Sequence, residues 1–180
     1  CLQSANDNDR VKVNAVRTLG NSIVLLTQKQ LQSAKWMNLF EKSIQTLNQQ
    51  LLNCSNVKVK WNICYSLSSM MKNSVIFDDD IKSKWQNLVF KTLCTIIETS
   101  PNFKVRTNAC LALTTPKNRK DYSVHFISIW NCLLAALEQS NNLTDFNEYK
   151  HRDALQDQLC SAICHFLSLT AIDDIIQMKN

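Results

Sequence analysis

A ten-residue segment, VKVNAVRTLG at Val11–Gly20, recurs twice further along the chain and decides the fold. The later copies are VKWNICYSLS at Val59–Ser68 and VRTNACLALT at Val105–Thr114. All three copies have valine first, a basic residue second, asparagine fourth and leucine ninth, with no gaps. The copies begin at residues 11, 59 and 105. This spacing is at or just beyond the period of about 40–47 residues that is typical of stacked two-helix repeats.

A second motif, Trp-x-x-Leu, precedes the later copies. It occurs at three places, Trp36–Leu39, Trp85–Leu88 and Trp130–Leu133. Apolar residues follow it at helical spacing. Each unit is therefore predicted to contain two helices, of which the first carries the tryptophan and the second carries the valine-basic-asparagine segment. A fourth, degenerate copy of the second helix lies at Leu155–Cys164, where Gln156 and Gln158 replace the base and the asparagine.

These patterns predict an all-α fold, an extended stack of antiparallel helix pairs in which each pair covers the apolar face of its neighbour. The helices are predicted at residues 9–27, 34–52, 57–72, 81–99, 102–114, 122–139, 151–169 and 172–180. The first is the second helix of one repeat, three repeats follow at about 34–72, 81–114 and 122–169, and residues 172–180 start another helix. Asp9, Asn56 and Asn102 are the expected N-caps of the second helices. Because the chain starts at Cys1 in mid-array, residues 1–180 are expected to be one segment of a longer protein.

Composition agrees with helices and bounds the function classes. Hydrophobic residues make up 45% and charged residues 19% of the chain, which is a globular balance, and glycine occurs once. The net charge of +5 is weaker than a dedicated nucleic-acid domain needs. Eight cysteines without a Cys-x-x-Cys pair favour a reducing, intracellular compartment, cytoplasmic or nuclear. No signal peptide or membrane-spanning run is evident.

The segment Val-Lys/Arg-x-Asn-Ala-x-x-x-Leu-Gly resembles the second helix of the HEAT repeat family, and the resemblance extends over about residues 9 to 170. It implies a right-handed α-α superhelix, a HEAT- or armadillo-like solenoid, without assigned catalytic activity. HEAT repeats often place an aspartate six residues before the basic position, where it pairs with the base. Here those positions are Asn6, Cys54 and Ser100, so the usual acidic partners are absent.

Basic residues at the starts of the second helices are the first candidate binding site. The set comprises Arg10 and Lys12, Lys58 and Lys60, and Lys104 and Arg106. In a regular stack they would align as a basic ridge for an anionic peptide or a nucleic-acid backbone. The alternative is a solvated face or ion pairs within the solenoid. Cations at a helix N-terminus oppose the helix dipole, so something is expected to compensate them.

Asparagines and tryptophans recur as well. Asn14, Asn62 and Asn108 are interpreted either as amides that bind the backbone of an extended ligand, or as amides that tie neighbouring helices together. The second interpretation is favoured because apolar residues surround these positions. Trp36, Trp85 and Trp130 are predicted to be core residues.

No pattern in the sequence favours catalysis or a cofactor. Cys160, Cys164 and His165 have a spacing that could place ligands on one ion, but a zinc site needs more, and Cys160 aligns with the apolar positions Cys64 and Cys110. The acidic cluster Asp78–Asp80 is expected to cap the 81–99 helix. With one glycine, neither a phosphate loop nor a dinucleotide fingerprint is possible. The predicted function is a scaffold or adaptor that binds protein partners, with no cofactor, no membrane and no small-molecule substrate. The alternative is binding of nucleic acid or another polyanion along the basic ridge.

Overall fold

The computed structural model describes residues 8–140 and 149–178, and within these residues the chain is helical and has no β-strand. The prediction of an all-α fold is therefore confirmed. The α-helices of the described residues, α1 to α10 in chain order, are Asp9–Val24, Gln28–Leu31, Ala34–Asn53, Val57–Met70, Asp79–Lys82, Gln86–Thr99, Phe103–Leu113, Phe126–Ser140, Tyr149–Leu169 and Ile172–Met178. Two short 3-10 helices cover Ser74–Phe77 and Arg119–His125. The chain forms two compact units, the first ending at Thr92 and the second beginning at Leu93.

In the first unit, the second helices of two successive repeats, α1 and α4, pack directly against each other, and α3 packs against α4. The close approach of α1 to α4 depends on Gly20, the single glycine of the chain. A Cβ atom added to Gly20 would lie 2.6 Å from both Cα and Cβ of Ser66 on α4. The Ser66 hydroxyl donates a hydrogen bond to the Val16 carbonyl of α1 at 2.7 Å. Small residues thus bring the two backbones together.

Asn73, which follows α4, attaches the end of α1 to the loop after α4. Its side-chain amide donates to the carbonyls of Ile23 at 3.1 Å and Leu26 at 2.8 Å. Its side-chain oxygen accepts from the Val75 amide at 3.1 Å, which starts the 3-10 helix. Asn73 is buried, and its bonds give the Leu26 carbonyl a partner and the Ile23 carbonyl a second one, since the Leu26 amide also donates to Ile23.

In the second unit, α9 packs against both α7 and α8. The rings of Tyr122, Phe126 and Phe166 form its aromatic centre, with Tyr122 and Phe166 centroids 4.7 Å apart. The buried Tyr122 hydroxyl donates toward the Leu113 carbonyl at 2.8 Å and lies 3.0 Å from Nε2 of His165. The loop after α7 is thereby attached to α9.

An ion pair attaches α10 to the same unit. The guanidinium of Arg119 donates to both carboxylate oxygens of Asp174, from Nε at 2.7 Å and from Nη2 at 2.6 Å. It also lies over the Phe126 ring, 4.1 Å from the centroid. These hydrogen bonds hold the pKa of the buried Asp174 carboxyl below its usual value.

The N-caps follow the repeat more closely than was predicted. The N-cap of α1 is Asn8, whose side-chain oxygen accepts from the Val11 amide at 3.1 Å, and the predicted cap Asp9 is instead the first helical residue. Asn56 caps α4 and Asn102 caps α7 in the same way. Asparagine therefore precedes the copy by three residues in all three cases, which extends the repeat to the cap.

Three predicted helices are wrong in their boundaries. The 9–27 helix ends at Val24, because Thr27 and Gln30 form a capping box that starts α2. The 81–99 helix is interrupted between α5 and α6, where Trp85 donates from its indole nitrogen to the Ile76 carbonyl at 2.9 Å. The 122–139 helix begins at Phe126, because Ser123 has a φ of 49°, which an α-helix cannot accommodate.

The prediction that the acidic cluster Asp78–Asp80 caps the long 81–99 helix is wrong, because the helix at this position, α5, ends at Lys82. Asp78 precedes α5 without a side-chain cap hydrogen bond, and its carboxylate accepts from the side-chain amide of Gln28 at 3.0 Å. Asp79 forms an ion pair with Lys82 within α5 at 2.5 Å. The cluster therefore joins α2 to the short helix α5.

Candidate functional site

Residues at the adjoining N-termini of α1 and α4 line a small pocket in the first unit. Arg10, Asn14 and Lys58 contribute to it, so the structure brings three of the predicted residues together. The pocket has a volume of about 190 Å³. It also contains the Asp9 carboxylate, which accepts a hydrogen bond from the Asn56 side-chain amide at 2.6 Å. A carboxylate at this position weakens the attraction of the pocket for anions.

Lys60 has a role that sequence reasoning missed. Its ammonium group donates to the Leu52 carbonyl, in the last turn of α3, at 3.3 Å. A cation near the C-terminus of a helix interacts favourably with the helix dipole and with unpaired carbonyls. The compensation expected for this cation is thus supplied by the preceding helix. Lys12, its counterpart on α1, is half-buried.

In the second unit, the two predicted basic residues differ from each other. Lys104 is exposed, whereas Arg106 is only 7% exposed, so the prediction that Arg106 lies on a solvated ridge is wrong. Its guanidinium carbon is 6.0 Å from the centroid of the Phe103 ring. Within the part of the chain that the structure describes, its Nε and Nη2 atoms have no hydrogen-bond partner. Burial lowers the pKa of the guanidinium, because the charged form loses its hydration.

Replacing Arg106 with methionine is expected to leave the free energy of unfolding unchanged or to raise it by about 1 kcal/mol. Methionine keeps the packing of the stem and removes two buried donors that lack acceptors. Arg119→Met is the matched control and is expected to cost about 2 kcal/mol, because it leaves the Asp174 carboxylate without its partner. Urea unfolding followed by circular dichroism measures both variants. Equal losses would mean that Arg106 is paired in solution.

The favoured interpretation, that the asparagines tie neighbouring helices together, is wrong. The side-chain amide of Asn62, which is buried, donates to the Lys58 carbonyl at 2.6 Å, one turn earlier in the same helix. Asn108 donates to the Lys104 carbonyl in the same way at 2.7 Å, while Asn14 is exposed. A short amide competes well for the carbonyl four residues before it, so the bonds close within one helix.

Ser100 stands at one of the positions where the HEAT family often has aspartate. It is buried, and its hydroxyl accepts from the Asn102 amide at 3.4 Å, next to the cap of α7. Cys54, at the equivalent position before α4, is half-buried, and Asn6 lies outside the described residues. At Ser100 the position is occupied by a turn residue that bonds the backbone.

The cysteine and histidine candidates differ in burial and in their contacts. Cys64 and Cys110 are fully buried, and burial raises the pKa of the Cys64 thiol to about 12. Cys160 is exposed, so its assignment to the same apolar position is wrong. His165 lies 3.1 Å from the Pro116 carbonyl, besides its contact with Tyr122. Among residues 8–140 and 149–178, no cluster of histidine, cysteine or acidic residues has the geometry to hold a metal ion.

An open apolar groove lies between α1 and α3 in the first unit. Its volume is about 630 Å³. The residues that line it are Leu19, Ser22, Ile23, Leu25, Leu26, Gln30, Trp36, Leu39, Phe40 and Ser43, and none of them is charged. Trp36 is 39% exposed, Leu39 40% and Leu25 78%. The prediction that Trp36 belongs to the core is therefore wrong, although Trp85 and Trp130 are buried.

The sequence predicts the apolar side of α3 that lines this groove, but it does not predict whether that side is covered. Helical periodicity places Trp36, Leu39 and Phe40 on one side of α3, and this is what the structure shows. Periodicity does not reveal whether another helix covers that side. The pair Leu25-Leu26, which continues the apolar character beyond the end of α1, marks the other wall.

Comparison with known proteins finds similar sequences. The chain is 34% identical over 133 residues to an uncharacterized protein of Dictyostelium discoideum. The match covers 69% of this chain and 9% of that relative, so the chain spans a small part of the relative's length. No family model matches the chain, and no solved structure matches it. In the described residues, no helix is both long and apolar enough to cross a bilayer.

Proposed function

We propose that this chain is a HEAT-type segment of an α-solenoid that works as a non-catalytic scaffold and binds protein partners. The observation that carries the binding proposal is the uncovered apolar groove between α1 and α3, which includes the half-exposed ring of Trp36. Contiguous exposed apolar surface on a folded chain commonly marks a site of protein–protein contact. Tryptophan is also among the residues that contribute most to binding energy when a partner covers them.

The solenoid part of the proposal is supported by the packing inside each unit. In the first unit, the successive second helices α1 and α4 pack against each other, and in the second unit α7 and α9 do so. First and second helices of one repeat also pack together, as α3 with α4 and as α8 with α9. Nearest-neighbour packing of this kind is what a stack of helix pairs requires.

Polyanion binding remains the second candidate, and the structure offers it less support. Of the predicted basic residues, Arg106 is buried, Lys60 bonds a helix C-terminus, and Lys58 shares its pocket with the Asp9 carboxylate. Phosphate contacts of a nucleic acid need several accessible cations in a row. The apolar groove is the larger surface and has uncharged walls.

Affinity capture with the immobilised 180-residue chain tests the scaffold proposal. We expect a reproducible set of retained proteins that survives nuclease treatment and a rise in salt from about 50 to 200 mM, a range over which multi-phosphate binding falls by about 10³–10⁵. Lys58→Glu is expected to leave this set unchanged. Retention that is lost with nuclease or salt, or that Lys58→Glu abolishes, would favour the polyanion function instead.

A further inference from the structure

Two cysteine side chains meet between α6 and α8 in the second unit. Cys132, on α8, is buried, and its Sγ atom donates toward the Cys94 carbonyl of α6 at 3.7 Å. The Cys132 thiol also hydrogen-bonds the side chain of Cys94, so the two thiol groups are in direct contact. Both are free cysteines, and neither lines the apolar groove or the small pocket of the first unit.

The chemistry of this pair is that of a disulfide and not of a metal site. A structural zinc ion takes four ligands, and a catalytic one takes three with a water. Among the residues that the structure describes, no three histidine, cysteine or acidic side chains are placed to hold an ion. Two cysteine side chains in contact are instead the starting arrangement for a disulfide, whose Cβ atoms lie about 3.5–4.5 Å apart.

The two thiols differ in their access to solvent, and this difference sets the order of the chemistry. Cys132 is 5% exposed, whereas Cys94 is half-buried, so a small oxidant reaches Cys94 first. The hydrogen bond with Cys94, burial and then the neighbouring Glu98 carboxylate raise the pKa of the Cys132 thiol. Because the thiolate is the reactive form, Cys132 is not the first of the two to be oxidised. It lies ready beside Cys94 as the second thiol.

A second pair of cysteines, Cys160 and Cys164 on α9, provides an internal comparison. Both are exposed, and they lie four residues apart on one helix. Residues at this spacing have Cβ atoms about 5–6 Å apart, which is further than a disulfide allows. These two thiols are therefore expected to react with an oxidant singly, without joining to each other.

We propose that Cys94 and Cys132 form an oxidation site, at which a hydroperoxide converts the two thiols into a disulfide that joins α6 to α8. The Cys94 thiolate attacks the hydroperoxide, the O–O bond breaks, and Cys94 becomes a sulfenic acid while the peroxide is reduced to water or an alcohol. The Cys132 sulfur then attacks the Cys94 sulfur, and the hydroxyl group leaves with the Cys132 proton as water. Two electrons pass from the thiols to the hydroperoxide. This site goes beyond the scaffold function and does not depend on it.

Mass spectrometry of the 180-residue chain after treatment with hydrogen peroxide tests the proposal. We expect a species that has lost the mass of two hydrogen atoms. We also expect a protease digest in which the peptides carrying Cys94 and Cys132 stay joined until a reductant is added. This measurement uses the wild-type chain, so it does not depend on whether a variant folds.

Variants assign the two steps to the two cysteines. Cys94→Ala is expected to abolish the joined peptides. In Cys132→Ala, which keeps the buried position apolar, Cys94 is expected to stop at the sulfenic acid, which the reagent dimedone labels. The matched control is the double variant of Cys160→Ser and Cys164→Ser, which removes the exposed thiols and is expected to keep the joined peptides.

The disulfide is also expected to stabilise the chain. It connects residues 38 positions apart in the sequence, and closing a loop of this length restricts the unfolded chain. Thermal unfolding followed by circular dichroism is expected to move upward by about 5–10 °C on oxidation and to return with dithiothreitol. The double variant of Cys94→Ala and Cys132→Ala is expected to show no such shift.

Peroxide treatment that oxidises Cys160 and Cys164 but leaves Cys94 and Cys132 as thiols would overturn the proposal. A digest in which Cys132 is joined to the buried Cys110, or Cys94 to a second copy of the chain, would overturn it as well. So would a chain with the Cys94–Cys132 bond that melts below the reduced chain, since the bond would then pull α6 and α8 out of the described packing.

Discussion

Replacing Trp85 with alanine is expected to lower the free energy of unfolding by about 3–5 kcal/mol, the usual cost of removing a large buried aromatic side chain. Trp85 is 1% exposed, and its ring contacts Phe77 and Phe90 edge-on, with centroids 5.4 and 5.6 Å away. Its indole nitrogen also donates to the Ile76 carbonyl, which the substitution would leave unpaired. The measurement is urea unfolding of the 180-residue chain, followed by far-ultraviolet circular dichroism.

Trp36→Ala is the matched control, because Trp36 holds the same place in the preceding repeat. Its ring is partly exposed on a groove wall, so we expect a loss of less than about 1 kcal/mol, which is within the usual range for surface positions. The same substitution at two equivalent positions should therefore give very different losses. A similar loss at both would show that Trp36 is covered in solution and would remove the open groove on which the binding proposal depends.

The two tryptophans also show how far the sequence predicts this structure. The Trp-x-x-Leu motif predicts a helix and the side of the helix that is apolar, because side-chain direction follows from helical periodicity. Burial depends on which element lies opposite that side. The 83–85 turn brings Trp85 against the 3-10 helix Ser74–Phe77, and no repeat pattern encodes that turn.

The basic positions show the same division between local and non-local information. Lys60 and Arg106 have identical places in the repeat and lie at identical places in their helices, so their local structure is predicted correctly. Lys60 reaches a carbonyl at the end of α3, whereas Arg106 is buried beside Phe103. Side-chain partners come from the surrounding elements, which differ between repeats more than the helices themselves do.

Replacing Gly20 with valine is expected to lower the free energy of unfolding by at least about 3 kcal/mol, the upper part of the range for overpacking. An ideal Cβ at Gly20 lies 2.6 Å from the Ser66 Cα atom and 2.9 Å from its carbonyl oxygen. Backbone atoms cannot rotate away as the end of a side chain can, so α1 and α4 must separate. Separation also breaks the hydrogen bond from Ser66 to the Val16 carbonyl.

The sign of the effect of Gly20→Ala makes this test decisive. In an exposed helix interior, replacing glycine with alanine stabilises by about 1 kcal/mol, because alanine restricts the unfolded backbone and favours the helix. At Gly20 we expect a net loss, because even one methyl group meets the backbone of Ser66. Asn21→Ala, at the exposed next position of α1, controls for helix propensity and is expected to be neutral or stabilising. If alanine stabilised the chain at both positions, α1 and α4 would lie further apart than described, and the packing of successive second helices would lose its main support.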